Sequence, residues 1–247
     1  MLYIIDYTLN LTFKIMKKRN TIILFSVLIT FLGFSQNNCS KFYPMEEGVS
    51  FQYTMSDRKG KPDGTTDYYV KEVSNSGGTT IATMNMKFTD KKGKEVMVSD
   101  FKFSCTGDGV KIDYNSLVPS QMIKQYTDMG MEMDISGTDI DIPNSLSVGQ
   151  ELKDANVTVN IKMTGMNMTM RVDQTNRKVE KKESITTPAG TFDCYVLTED
   201  NLSETMGVKQ NMRSKIWLAE GIGMVKQEMY NKKGALSSQM ELTKYNQ

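Results

Sequence analysis

The 247-residue chain contains no histidine. This absence excludes Ser-His-Asp and Cys-His catalysis, histidine-ligated zinc and any proton transfer by imidazole. Other catalytic routes would rest on carboxylates, lysine or tyrosine. The closest carboxylate pair, Asp139 and Asp141, would share one face of a strand, where it could bind calcium or serve a glycosidase. The solvated face of an edge strand before Pro143 explains the pair better, so we expect a non-enzymatic protein without a cofactor.

Cysteine is scarce, with three residues. In an oxidising compartment the expected state is one disulfide and one free thiol. Cys194 alternates with Phe192 and Val196, which is typical of a small buried core residue. We therefore favour a Cys39–Cys105 disulfide, although spacing alone leaves the other two pairings open.

Long apolar runs are confined to the N-terminus. The basic cluster Lys17–Arg19 precedes an apolar run at residues 21–34, which is too short for the about 20 residues that span a bilayer. We interpret residues 16–35 as a signal peptide cleaved near Ser35/Gln36, and residues 1–15 as an upstream-start extension. A lipid anchor on Cys39 is disfavoured because no small residue directly precedes it. The expected product is periplasmic or secreted, without a transmembrane anchor.

Excess positive charge is also missing from the expected mature chain, residues 36–247. Removal of residues 1–35 takes away four basic residues and one acidic residue, so the formal net charge falls from +1 to −2. Such a balance gives no electrostatic basis for binding a polyanion, and nucleic acid is excluded as an expected partner. Only five prolines occur, and no linker or charge block divides the sequence. A single β-rich domain is therefore predicted for residues 36–247.

What the mature chain does have is short alternating runs of apolar and polar residues, such as Val49–Met55 and Ala82–Phe88. Glycine-containing turns separate them roughly every ten to fifteen residues, which is typical of antiparallel hairpins. The pattern predicts a mainly β protein of about eleven strands. A sheet of that length must curl or close, so we expect a strongly curved antiparallel sheet or unclosed β-barrel; a closed lipocalin-like barrel is the alternative.

One segment has helical periodicity instead. Residues 119–129 place Met122, Ile123, Tyr126 and Met129 on one face. Pro119 suits the first helical turn and Gly130 suits the position after the last. We predict one helix, packed against the concave face of the sheet.

The run Val157–Val172 is the most unusual stretch. Its apolar residues alternate, and the parity slips by one residue at Thr164-Gly165. We interpret the run as one strand with a β-bulge at Gly165 that bends the sheet.

The apolar face of this run is rich in methionine, a deformable side chain suited to adaptable binding surfaces. An ordinary core or the wall of an apolar pocket explains the pattern better than a thioether site for Cu(I), because no histidine or cysteine is interleaved. The sequence does not separate a filled core from a pocket. The candidate ligand-binding residues are Met163, Met166, Met168, Met170, Met122 and Tyr126.

Two motifs carry a resemblance to a known group: residues 187–195, with the turn Ala189-Gly190, and residues 216–226, with Trp217 and Gly221-Ile222-Gly223. The chain resembles the TapB-like family and related envelope proteins of unknown function from Bacteroidota, over most of residues 38–245. The resemblance implies an exported β protein and transfers no catalytic residue. The one-helix plan is also similar, more distantly, to the LolA/LolB-like unclosed barrels that hold lipid chains.

We therefore expect an exported envelope protein that binds a lipid chain or another apolar molecule. The alternative is a structural or assembly factor of the envelope whose partner is another protein.

Overall fold

The computed structural model describes residues 39–163 and 166–247, with the side chains of residues 163 and 166 left aside. The predicted signal peptide, the upstream extension and the Thr164-Gly165 site lie outside the described residues. The described chain belongs to one compact unit, Asn38–Gln247.

Across the described residues, thirteen antiparallel strands form a single sheet. They are β1 (Ser50–Asp57), β2 (Pro62–Ser76), β3 (Thr79–Asp90), β4 (Glu95–Cys105), β5 (Gly109–Ile112), β6 (Glu132–Thr138), β7 (Ile140–Pro143), β8 (Ala155–Met163), β9 (Met166–Thr187), β10 (Gly190–Thr205), β11 (Val208–Ala219), β12 (Gly223–Asn231) and β13 (Leu236–Asn246). Their order is β6-β8-β9-β10-β11-β12-β13-β1-β2-β3-β4-β5-β7. The predicted fold class is confirmed, and the expected count of about eleven strands was low.

The sheet curls until it is nearly closed. Its edge strands β6 and β7 follow each other in the chain, with only Asp139 between them. The segment after β7 then pairs with β9: Gly149 N donates to the Val179 carbonyl and Leu152 N to the Arg177 carbonyl, both at 2.8 Å. This segment thereby links β7 to β9 just before β8 begins at Ala155.

The run Val157–Val172 is a hairpin rather than one bent strand. Val157 pairs with Val172, Ile161 with Met168, and Met163 with Met166. The prediction of a single strand was wrong because a two-residue connection inverts the alternation just as a bulge does. An irregularity of β9 lies further on, at Asn176, where the backbone has φ +54° and the register with β10 shifts.

The predicted helix is present as α1 (Ser120–Asp128), after a short 3-10 helix at Tyr114–Leu117. Pro119 occupies the N-cap, and Gly130 follows the helix with φ +73°, as its position after the last turn requires.

Three apolar clusters hold the described chain together. The main core includes Phe51, Tyr53, Val70, Phe103, Trp217 and Leu242. The second core joins the segment before β1, strand β7 and the segment after β7 to β9–β11; its members include Phe42, Ile142, Leu146, Leu152, Val179, Leu197 and Leu218. The third core lies under α1, around Val118, Val157, Val159 and Ile161. Because Val196 and Leu197 belong to different cores, β10 is buried on both faces.

Candidate ligand-binding site

The methionine-rich hairpin packs under α1. Met122 and Tyr126 of the helix join Met168 and Met170 of β9 around the third core. These four predicted site residues are thus brought together, and each is half-buried. Met163 and Met166 pair at the end of the hairpin, and their side chains are not among the described ones. The cluster therefore has the packing of a small core whose rim reaches solvent.

A separate cavity of about 160 Å³ lies within the main core. It is lined by Tyr43, Phe51, Tyr53, Tyr68, Met84, Phe101, Phe103, Ile112, Leu117, Ile222 and Met224, which we call the aromatic cavity. None of these residues belongs to the predicted site, so the sequence interpretation missed this cavity. Six of its eleven lining residues are aromatic and none is charged.

The aromatic lining comes from ordinary strand alternation. Phe51 and Tyr53 lie two apart on β1, and Phe101 and Phe103 lie two apart on β4, so each pair projects from one face of its strand. Tyr68 of β2 lies between these strands, with its ring 5.6 Å from Tyr53 in an edge-on arrangement and 6.3 Å from Phe101. The sequence shows these aromatic residues at every second position, which predicts that each pair shares one face of its strand. That the two pairs line the same cavity follows only from the order of the strands in the sheet.

Three tyrosines give the cavity its polar atoms. The Tyr53 hydroxyl donates to the Met224 carbonyl at 2.7 Å. Burial raises the pKa of Tyr43 and Tyr53 well above the ordinary tyrosine range, and it raises the pKa of Tyr68 to about 12. All three rings are therefore neutral at physiological pH, and the cavity disfavours negative charge.

The segment before β1 places Tyr43 in the cavity wall. Cys39 at its start is disulfide-bonded to Cys105 at the end of β4, the pairing favoured from the sequence. Asn144 fixes the same segment by donating from Nδ2 to the Cys39 carbonyl and accepting at Oδ1 from Lys41 N, both at 2.7 Å. The Tyr43 ring then packs 5.4 Å from the Phe103 ring.

The third cysteine, Cys194, is free and buried, as its alternation predicted. Burial raises the pKa of its thiol to about 11. The thiol is therefore protonated at neutral pH and behaves as a small apolar group.

A buried ion pair joins the strands beside the second core. Arg177 Nε lies 3.4 Å from Glu199 Oε2, and both side chains are almost fully buried. The guanidinium also donates to the Lys153 carbonyl and to the Asp141 carbonyl of β7. Ser214 donates to the other carboxylate oxygen of Glu199 at 2.8 Å. Arg177 thereby connects β7, β9 and β10 where the curled sheet comes together.

The carboxylates considered for metal binding have structural partners. Asp139 accepts from Tyr114 N at 3.2 Å, and Asp141 forms an ion pair with Lys153 at 3.0 Å. Within residues 39–163 and 166–247, no three histidine, cysteine, aspartate or glutamate side chains gather as a metal site would require. Across the same ranges, no helix combines the length and hydropathy needed to cross a bilayer.

Solved structures with the same fold support the sheet topology. An exported-protein candidate from Bacteroides fragilis with a YmcC-like fold aligns with a TM-score of 0.68 and 20% identity, covering 85% of this chain and 100% of its own. A lipoprotein candidate from Parabacteroides distasonis aligns with a TM-score of 0.66 and 24% identity, with the same coverages. At these identities the likeness shows the fold alone.

Comparison with curated proteins gives no match. The family model described as DUF3108-like matches residues 46–242. The motifs had suggested the name TapB-like, which this match does not support, whereas the expected relationship to exported β proteins agrees with the structural neighbours. The chain belongs to the DUF3108-like family.

Proposed function

We propose that this protein is an exported, non-enzymatic envelope protein that holds one apolar group of a ligand in the aromatic cavity. The cavity, lined by uncharged and mostly aromatic side chains, carries the proposal. Export is supported by the N-terminal basic cluster and apolar run, and by structural neighbours that are described as an exported protein and a lipoprotein. A mature N-terminus at Gln36, read by mass spectrometry of the envelope fraction, tests this part.

The size of the cavity limits the ligand. At about 160 Å³ it is close to the roughly 150 Å³ of an engineered apolar cavity that binds benzene in another protein. It is smaller than the 300–1,000 Å³ typical of sites for drug-sized molecules. A single ring or the end of an acyl chain fits this space, and the rest of a lipid would lie outside it.

The lining also limits the chemistry of that group. An ion in the cavity would be removed from water without a charged side chain to compensate it, which is unfavourable. The Tyr53 hydroxyl is already used by the Met224 carbonyl, so the specific polar contacts left to a ligand are few. An uncharged hydrocarbon group fits this lining, because it has no charge to bury and needs no hydrogen bond.

Indole and benzene are suitable probes, measured by NMR chemical-shift changes on the purified mature protein. Ile222→Phe fills the cavity from the turn before β12, and Ile81→Phe makes the same change at a β3 position outside the cavity lining. We expect Ile222→Phe to weaken probe binding at least tenfold and Ile81→Phe to leave it unchanged. Absence of binding to the unsubstituted protein, or equal binding by both variants, would overturn the proposal.

The methionine cluster under α1 remains an alternative position for the same ligand. Met168→Leu and Met170→Leu together keep the side-chain volume while removing the thioethers. Loss of probe binding in this double variant, with binding retained in Ile222→Phe, would move the site to the cluster. The double variant also tests the Cu(I) hypothesis, since thioether ligation predicts loss of Cu(I) affinity.

An assembly role through another protein is the second candidate. Met206 and Val208, at the connection between β10 and β11, expose 67% and 73% of their surface. These two exposed apolar side chains at one turn give a partner protein a small surface to contact. Crosslinking in whole cells tests this role, and a stable protein partner lost in Met206→Ser/Val208→Ser would support it.

A further inference from the structure

The β9–β10 pair contains a wide irregularity away from both candidate positions described above. Thr198 of β10 pairs with Lys178, whereas Asp200 pairs with Thr175. Asn176 and Arg177 on β9 therefore both lie opposite Glu199. Asn176 adopts φ +54°, a left-handed conformation that asparagine tolerates better than most residues. Irregularities of this kind occur preferentially beside functional sites.

Two adjoining depressions, of about 890 and 700 Å³, lie at this irregularity. We call them together the polar groove; both are lined by Asn176, Asp200, Arg213 and Lys215. The groove continues to Asn201, Asn211 and Asn231, and Tyr230 also lines it. Amide, carboxylate, guanidinium and hydroxyl groups thus cover a space several times larger than the aromatic cavity.

The charges of the polar groove are balanced, with six basic and five acidic lining residues. Asp200 accepts from Asn176 Nδ2 at 2.9 Å and from Arg213 Nε at 3.0 Å. Lys215 lies 3.2 Å from Glu180. Because the basic and acidic groups of the lining nearly cancel, the groove offers no strong net attraction to a free anion or cation.

One buried hydroxyl in the groove has no partner. Thr198 lines the groove and is only 7% exposed, and its Oγ1 makes no hydrogen bond within the described part of the chain. A buried hydroxyl is normally satisfied by protein, water or ligand, so an orphan in a groove wall indicates a position where another molecule completes the bond.

We infer that the polar groove binds a neutral saccharide. Sugar hydroxyls donate and accept hydrogen bonds together, which suits a lining of amides and balanced charges. The apolar face of a sugar ring stacks on an aromatic side chain, a contact that Tyr230 provides. The volume accommodates several sugar rings, and the charge balance favours an uncharged chain over a phosphorylated or acidic one.

An array of neutral oligosaccharides, including chitohexaose, maltohexaose and cellohexaose, tests the inference on the mature protein, followed by calorimetry with the best binder. Thr198→Val removes the orphan hydroxyl with little change of shape, and Asn176→Gly removes the amide while tolerating the left-handed backbone. Thr83→Val on β3 is the control, since it makes the same threonine-to-valine change away from the groove. We expect a tenfold or greater rise in Kd for Thr198→Val and Asn176→Gly, and none for Thr83→Val.

Thermal unfolding of each variant distinguishes a loss of sugar binding from a loss of the folded state. Removing an unsatisfied hydroxyl does not destabilise a protein that uses it only for a ligand, so Thr198→Val should melt at or above the temperature of the unsubstituted protein. No binding across the array, or binding unchanged in both groove variants, would overturn the inference. Indole binding in the aromatic cavity should be the same in all three variants, so the two proposals fail or succeed separately.

Discussion

The ring of Tyr43 lies directly against the backbone of Gly223. A Cβ added to Gly223 would come within 2.7 Å of both Cδ1 and Cε1 of that ring. Gly223 is the second glycine of the Gly221-Ile222-Gly223 motif, and its φ of +92° also favours glycine. The motif therefore makes room for a side chain located 180 residues earlier, and it fixes one wall of the aromatic cavity.

Gly223→Ala should be more harmful than Gly221→Ala. Both positions have a positive φ, so both variants carry the conformational strain of a Cβ there, on the order of 1–3 kcal/mol. Only Gly223→Ala adds the clash with Tyr43, because no atom lies within 4 Å of a Cβ on Gly221. We expect chemical denaturation to show an additional loss of about 1–3 kcal/mol for Gly223→Ala. Equal losses would mean that Tyr43 is not held against this turn.

Removal of the Cys39–Cys105 disulfide should destabilise the protein substantially. The bond joins cysteines 66 residues apart, and closing a loop of that length corresponds to about 4 kcal/mol of chain entropy, within the roughly 2–5 kcal/mol that loss of a native disulfide typically costs. The double variant Cys39→Ser/Cys105→Ser should show this loss in denaturant. A reducing agent should lower the stability of the unsubstituted protein and leave that of the variant unchanged; a reductant effect on the variant would contradict the assignment.

The buried Arg177–Glu199 pair should behave differently from an exposed one. Arg177→Met leaves the Glu199 carboxylate buried without its cation, which typically costs about 3–5 kcal/mol. Adding Glu199→Leu should recover much of that loss, because two apolar groups replace the two charges. Lys124→Met, which removes the exposed partner of Asp128, should cost less than about 1 kcal/mol. A double variant less stable than Arg177→Met would contradict this account.

Stability should fall steeply in strong base. The unfolded chain ionises tyrosine near pH 10, whereas burial raises the pKa of Tyr68 to about 12 in the folded protein. The unfolded state therefore loses the proton first, so this contribution is complete below about pH 10 and is lost as the pH rises to about 12. Tyrosinate absorbance should show delayed ionisation, and Tyr68→Phe should make the fall shallower. Simple titration of all tyrosines near pH 10 would refute the burial of this ring.

Much of the fold could be predicted because it depends on local patterns. Two-residue periodicity located the strands, and the face formed by Met122 and Tyr126 located the helix. The bend assigned to Gly165 was wrong for a local reason as well, since a bulge and a two-residue hairpin invert the alternation in the same way. Only the pairing of Val157 with Val172 distinguishes them.

The aromatic cavity could not be predicted in this way. Its polar contact joins Tyr53 to the carbonyl of Met224, 171 residues away, and its outer wall depends on Tyr43 meeting Gly223. Such contacts follow from the strand order, which alternation does not determine. The methionine cluster was easier to predict from the sequence, because Met168 and Met170 lie on β9, whose partner β8 is its neighbour in sequence.

The position of β13 between β12 and β1 has a consequence for the timing of folding. β1 pairs with β13, Ser50 with Asn246, so one neighbour of the first strand is the strand synthesised last. Contacts that distant in sequence form slowly. The sheet therefore cannot be completed until β13 has been synthesised, and β1 has only β2 as a partner until then.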